Sequence, residues 1–335
     1  MKALVLKNPS NAFVESIPDP ERSDEEILLK VRMVGFCGSD LNSFRGLNPL
    51  VSYPRILGHE VCATVIESKS NAFSAGTDVA LNPYTSCGKC ASCRRGRPNS
   101  CQFNQTLGVQ RDGALKEFIA MPRNKLYAAK LTPKELCLVE PLTVGFHAIA
   151  RGRVTADDTV AIFGCGGVGL GAIAASSSRG ATTICIDVND KKLEIARIAG
   201  AAHTMNTSRE QLHNRLMDLT EGRGPDVVIE AVGTSATFRA AVEEVAFTGR
   251  VVYIGYAKGP VSYETKLFVQ KELDVLGSRN AQPDDFQSVI RFLEARKFPV
   301  EQVVSLVVPL QEAANALRSW SENPSRFTKI LVSLD

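Results

Sequence analysis

The feature that most restricts what this chain can fold into is a strand followed at once by a glycine-rich turn. Val160–Phe163 is a short, continuous apolar run, and the next residues read Gly164-Cys-Gly166-Gly167-Val168-Gly169. In that position a G-x-G-x-x-G spacing has a physical meaning. Gly164 permits a tight turn, Gly166 lets the backbone approach a pyrophosphate, and Gly169 lets the following helix pack close against the strand. The helix that opens at Gly167 and Val168 offers unpaired N–H groups and a partial positive charge to phosphates. The next apolar strand, Thr182–Asp187, ends in an acid. Asp187 is placed to accept hydrogen bonds from the adenosine ribose, and its charge repels a 2′-phosphate, which favours NAD over NADP. Lys191 and Lys192 are the opposing cue, because they could receive such a phosphate. Lys192 therefore stands with Asp187 and the turn residues among the candidate cofactor-binding residues.

The same alternation continues downstream. Lys191–Ala199 reads as an amphipathic helix, and Asp226–Glu230 and Arg250–Ile254 read as further strands. Strands and helices at this spacing imply a parallel, doubly wound sheet. The first 130 or so residues have another texture. Leu4–Leu6, Glu26–Val34, Val61–Glu67 and Glu117–Met121 are short β-type runs, broken by Pro18, Pro20, Pro49, Pro54, Gly58 and Gly76 as in a barrel with long loops. The tail from about Arg279 holds a helix (Asp284–Ala295) and a last strand (Lys329–Leu334), and is expected to return to the first domain. The expected fold class is α/β, with a β-barrel domain over 1–142, a dinucleotide-binding domain over 143–278 and a return over 279–335.

The formal charge is only +3 and the basic residues are scattered among nearly as many acids, so no nucleic-acid partner is expected. Residues 1–7 are too short for the apolar part of a signal peptide, and no apolar run reaches the roughly 18 residues of a membrane span. No membrane partner and a cytoplasmic location are the expectation.

Four of the nine cysteines fall within fifteen positions, as Cys87-x-x-Cys90-x-x-Cys93-x7-Cys101. An odd total without a secretion signal argues against a disulfide framework. Four clustered thiolates complete a closed tetrahedral site, which reads as structural zinc. A free-thiol loop or an iron–sulfur site is the alternative. Lys89, Arg94, Arg95 and Arg97 could offset the negative charge.

Cys37, Ser39, His59, Glu60 and Glu140 carry the remaining metal and proton chemistry, in the runs G-F-C-G-S-D (35–40), G-H-E (58–60) and E-P-L-T-V-G-F-H (140–147). A thiolate, an imidazole and a carboxylate suit a zinc that keeps an open position, but spacing alone does not join these residues. Together with the four-cysteine lobe and the glycine turn, these runs resemble the zinc-containing medium-chain dehydrogenases, and among them the sorbitol dehydrogenase-like polyol group. The resemblance covers most of the chain in family order. It implies a GroES-like barrel carrying two zincs, one catalytic and one structural, joined to a Rossmann domain. It also implies Cys37, His59 and Glu60 as ligands of the catalytic zinc. Glu140 would be a further ligand or would hold a zinc-bound water, and Ser39 would begin the proton relay from the substrate hydroxyl. Two departures lie outside the ligands: Ala63 stands where the family has glycine, and the loop leading to Gly76-Thr-Asp-Val79 is short.

The implied function is hydride transfer from a secondary alcohol of a small-molecule substrate to NAD. Asn42 and Ser43 replace the histidine and aromatic residue of the sorbitol dehydrogenase pocket. Arg279, in Gly277-Ser-Arg279-Asn280, aligns with a substrate-side arginine, and the run around it resembles bacterial sugar-acid dehydrogenases of the L-galactonate 5-dehydrogenase type. Arg279 could pair with a substrate carboxylate, with Ser39 and Glu140 on the same substrate, or it could tie the two domains together. A hexonate leads, with polyols, sugar phosphates and L-threonine as alternatives. A zinc-stabilised NAD sensor would not need the Cys37–Glu140 set, and a metal-free quinone reductase would lack both clusters. The resemblance implies a homodimer or homotetramer, in which the apolar strand Arg250–Tyr256 and the segment after it could pair across a dimer. His147 reads as a core or domain-junction residue; His203 and His213 read as surface histidines.

Overall fold

A computed structural model of the chain describes residues 1–68, 73–295 and 298–335. Its contacts divide the chain into two units. One is built from Met1–Pro141 and most of the chain after Gln282, and the other from Leu142–Ala281. The helix Pro133–Arg151 supplies its first half to one unit and its second half to the other. Arg279 belongs with the second unit.

The first unit is a mostly antiparallel β structure. Its larger sheet runs in the order Val304–Pro309, Lys329–Ser333, Glu26–Gly35, Glu60–Glu67, Asp78–Leu81 and Leu126–Ala128, with Phe118–Pro122 also paired to Glu26–Gly35. A three-strand sheet sets Asn11–Ser16, Lys2–Asn8 and Arg55–Ile56 side by side. The Glu26–Gly35 sequence alternates, so Ile27, Leu29 and Val31 point one way and are buried. They join Leu4, Leu115 and Met121 in one apolar cluster. Ala63 sits fully buried within an unbroken strand, paired to Val31 on one side and Val79 on the other, so the missing glycine does not interrupt the sheet. Residues 69–72 of the shortened loop lie outside the described residues.

The second unit is a six-stranded parallel sheet. In chain order its strands are Thr159–Phe163, Thr182–Asp187, His203–Asn206, Val227–Glu230, Arg250–Tyr253 and Asp274–Gly277, and in space they run 3-2-1-4-5-6. That is the doubly wound order of the Rossmann fold, and the strand order reverses between the first and fourth strands. Val160–Phe163 is buried throughout, as a strand covered on both faces must be.

Of the strand and following segment expected to pair across a dimer, the strand itself is internal to the sheet. Arg250–Tyr253 is hydrogen-bonded to a neighbour on each side, so it has no edge to offer a second copy. The edge on this side of the sheet falls one strand later, on Asp274–Gly277.

Candidate metal centre and nucleotide site

Gly35 and Glu60 are partners across two antiparallel strands. The predicted ligands lie at that end of the ladder. Cys37 caps the helix Gly38–Phe44, and His59 directly precedes the strand Glu60–Glu67. The ligand atoms of Cys37, His59 and Glu60 all fall within 4.8 Å of one another. Gly35 is needed there, because a Cβ on it would lie 2.2 Å from Glu60 Oε2. Asp40 is fully buried and accepts the N–H groups of Cys37 (2.8 Å) and Gly58 (3.2 Å), which ties the helix cap to the loop before His59. His59 Nδ1 and Ser39 Oγ are buried at this locus and find no hydrogen-bond partner among the described residues.

The two acids are held differently. Glu60 is fully buried, and both its oxygens accept from Lys329 Nζ at 2.6 Å. Lys329 is itself buried and also donates to the Phe36 carbonyl at 3.2 Å. Glu140 stands outside the 4.8 Å set, buried on the helix Pro133–Arg151, and its Oε1 accepts the hydroxyl of Tyr84. Its charge still reaches the others. Burial first, and the charge of Glu140 with it, push the Glu60 carboxyl up to about 7 against the pull of Lys329 and His59. Burial alone would lower the His59 imidazole, but Asp40, Cys37 and Glu140 raise it well above the ordinary value. A locus so rich in negative charge, offering sulfur, nitrogen and oxygen donors and two orphaned polar atoms, fits a divalent zinc ion.

The four-cysteine lobe fits the same ion in its closed form. The sulfurs of Cys87, Cys90, Cys93 and Cys101 lie within 4.8 Å of one another, and none is in a disulfide. Cys90 and Cys101 are 3.8 Å apart. Metal–sulfur bonds of roughly 2.3 Å in a tetrahedron place the sulfurs about 3.8 Å apart. N–H groups of Cys87 and Phe103 point at Cys101 Sγ at 3.3 and 3.4 Å. The Ser92 hydroxyl and the N–H groups of Cys93 and Gln102 hold the Cys90 thiol down at about 5.

In the second unit the glycine turn behaves as its spacing implies. Gly164 has φ +95°, and a Cβ on Gly169 would meet the Gly164 carbonyl at 1.8 Å. The helix Gly167–Ser178 starts there, with Val168 in its first turn. Asp187 braces the turn: Oδ2 accepts the Cys165 N–H at 2.8 Å, and Oδ1 accepts those of Val188 and Asn189 at 2.8 and 3.0 Å. A cavity of about 700 Å³ opens beside it, lined by Gly164, Gly166, Asp187, Lys192, Glu210 and Thr237 among others. It lies where Gly164 and Ala231 leave the first and fourth strands, the place the strand order marks for a ligand. Arg279 follows the edge strand of this unit and is half-buried. His147 is buried, and His213 Nδ1 lies 2.9 Å from Glu244 Oε2.

Tyr84, Lys329 and Glu210 are the additions the structure makes. No local motif marks them. Lys329 lies 269 positions from Glu60, and Tyr84 lies 56 from Glu140. Asp40 was in view within Gly38-Ser39-Asp40, but its bonds to two backbone donors were not.

Two family models match the chain: an alcohol dehydrogenase GroES-like domain over residues 23–131 and a zinc-binding dehydrogenase domain over 167–295. An uncharacterized zinc-type alcohol dehydrogenase-like protein of Haemophilus influenzae is 34% identical, with 98% of each chain covered. The L-galactonate-5-dehydrogenase of Escherichia coli is 30% identical over 94% of this chain and 93% of its own. A crystal structure of an Escherichia coli short chain alcohol dehydrogenase (rspB), complexed with NADH, is similar with a TM-score of 0.91 at 26% identity, covering 100% of this chain and 99% of that one.

Proposed function

The chain belongs to the zinc-type alcohol dehydrogenases, and from that premise we propose that it oxidises a secondary alcohol of a sugar acid, a hexonate of the L-galactonate kind, with NAD as the acceptor. The observation that carries this reading is the convergence of Cys37, His59 and Glu60 within 4.8 Å, together with a buried Ser39 hydroxyl that finds no hydrogen-bond partner among the described residues.

Bound zinc supplies a Lewis acid for the substrate oxygen, and bound NAD supplies the hydride acceptor. The chain's own groups do the rest. Cys37, His59 and Glu60 present the ligand atoms, and Glu140 is the further ligand or the acceptor for a water. Ser39 Oγ is the atom that takes the hydroxyl proton from the substrate. The four cysteines of the lobe hold a second, structural zinc. The turn 164–169 receives the pyrophosphate. Asp187 and Glu210 put two carboxylates in the nucleotide cavity, against a 2′-phosphate, while Lys192 also lines it.

The hexonate assignment rests on the sequence around Arg279 and on the 30% identity to an L-galactonate-5-dehydrogenase. Its test is NADH formation by zinc-replete protein against L-galactonate, L-idonate, sorbitol, galactitol 1-phosphate and L-threonine, each with NAD and NADP. A hexonate rate with NAD, together with a KM for that hexonate raised by Arg279→Ala, supports the carboxylate pairing. Activity confined to neutral polyols removes it and leaves Arg279 with a structural role. Metal analysis is expected to return two zincs per chain.

A further inference from the structure

Glu230 takes no part in the function proposed above, yet it is fully buried at the end of the strand Val227–Glu230, beside the cavity at the glycine turn. Its two oxygens are used unequally. Oε1 accepts the N–H groups of Val232 and Gly233 at 2.9 and 2.7 Å, and the Thr237 hydroxyl at 2.7 Å. Oε2 is buried and finds no hydrogen-bond partner among the described residues. A buried carboxyl with one oxygen unmatched is a costly group, so packing alone is a poor reason for one at this place.

The donors to Oε1 all come from one wall of the cavity. Ala231, Val232 and Thr237 line it, and Thr237 lies in the first turn of the helix Ser235–Glu244. That wall is fitted closely on both sides. The Ala231 N–H donates to the Phe163 carbonyl at 2.9 Å, and a Cβ on Gly164 would lie 2.9 Å from Val232 Cγ2, so the wall rests on the glycine turn. On the other side is Gly255, whose N–H donates to the Glu230 carbonyl at 3.1 Å. A Cβ on Gly255 would lie 2.4 Å from Glu230 Oε2 and 2.5 Å from Gly233 N. Gly233 has φ +85°, which a side chain would resist. Glu230 therefore stands where the segments leaving two neighbouring strands meet, and its side chain is what binds the first of them into a turn.

We propose that Glu230 is a positioning residue of the nucleotide site, whose Oε1 gathers residues 232–237 into the one shape in which this wall receives the dinucleotide. Without that acceptor, two N–H groups and a hydroxyl lose their common anchor, and the turn is free to take other shapes. Only molecules with the wall in place then bind, and the apparent Kd rises by the inverse of their fraction. The inference rests on the reading of this cavity as the NAD site.

The test is NADH binding to zinc-replete protein, followed by the fluorescence of the bound cofactor well below every melting transition. Wild type is compared with Glu230→Ala, Glu230→Gln and Val228→Ala. Gln keeps an oxygen for the same donors. Val228 is fully buried on the same strand and does not line the cavity, so its truncation shows what lost stability alone does to binding. In Glu230→Ala the Kd for NADH should rise about 10–100-fold, as for a wall correct in roughly one molecule in 10 to 100. Glu230→Gln should recover most of that loss, and Val228→Ala should stay within about twofold of wild type although it melts earlier. A wild type that binds no NADH would overturn the cofactor reading and this inference with it. Wild-type affinity in Glu230→Ala would overturn the inference alone. Equal losses in Glu230→Ala and Val228→Ala would do the same, by making Glu230 a residue of stability only. Equal losses in Glu230→Ala and Glu230→Gln would assign the effect to charge and also overturn it. If Glu230→Ala yields no folded protein, Gly255→Ala replaces it. Its methyl drives against Oε2 and Gly233 N and should raise the Kd about tenfold, and an unchanged Kd there would overturn the inference.

Discussion

Lys329→Met should be one of the most damaging single substitutions in the first unit, and the structure sets its size. Glu60 is fully buried, and the Lys329 side chain is 4% exposed. Both Glu60 oxygens take their contact from the same ammonium at 2.6 Å. Burying two charges costs solvation in each, so the pair as a whole need not stabilise the fold. Breaking it from one side is a different matter. It leaves Glu60 in a dry site without its cation, where staying charged and taking up a proton each cost free energy, together about 3–5 kcal/mol. For a unit of this size each kcal/mol moves the midpoint by about 2–4 °C, so a loss of roughly 6–20 °C is expected. The assay is calorimetric melting of zinc-loaded and chelator-treated protein. The loss should be larger after chelation, when no metal charge is present to offset Glu60. The double variant Glu60→Gln with Lys329→Met should recover most of the loss, because the stranded charge is gone. A single variant that loses less than about 1 kcal/mol would refute this reasoning. So would a double variant no more stable than the single one.

Other outcomes follow from the same geometry. Gly35→Ala drives a methyl into the Glu60 carboxylate, so it should cost about 1–3 kcal/mol and weaken metal retention, read by melting and zinc content. Asp187→Ser removes the acid proposed to face the ribose. It should raise the KM for NAD about 10–100-fold while narrowing the preference over NADP, read from initial rates with both cofactors. Cys93→Ser takes one thiolate from the lobe. Zinc content should fall by one per chain and the melting transition should drop, while NAD binding, measured by fluorescence of the bound NADH, stays within a few-fold.

Much of the site was legible because its determinants are local. Gly164 and Gly169 are glycine for reasons of backbone angle and of a 1.8 Å approach, and such needs appear as residue types at fixed spacing. Four cysteines within fifteen positions need only a wrapped loop to meet. The strand Thr182–Asp187 reads correctly to the residue, since a parallel strand buried on both faces is a continuous apolar run. Asp274–Gly277 is harder to see, because it is an edge strand with mostly exposed side chains and lacks that signal. Nothing within Arg250–Tyr253 tells that it has a neighbour on each side.

The sequence by itself determined a tight glycine turn at the end of a strand, a four-cysteine lobe and a set of candidate ligands, all of them properties of short segments. Only the tertiary structure decided how the two buried acids differ. Glu60 meets an ammonium 269 positions away, and Glu140 meets a neutral phenol 56 positions away. The reason is physical: a carboxylate's behaviour depends on the charge, donors and solvent around it. Those neighbours are brought in by strand pairing and by the clamped neck of a loop, and no residue type announces them.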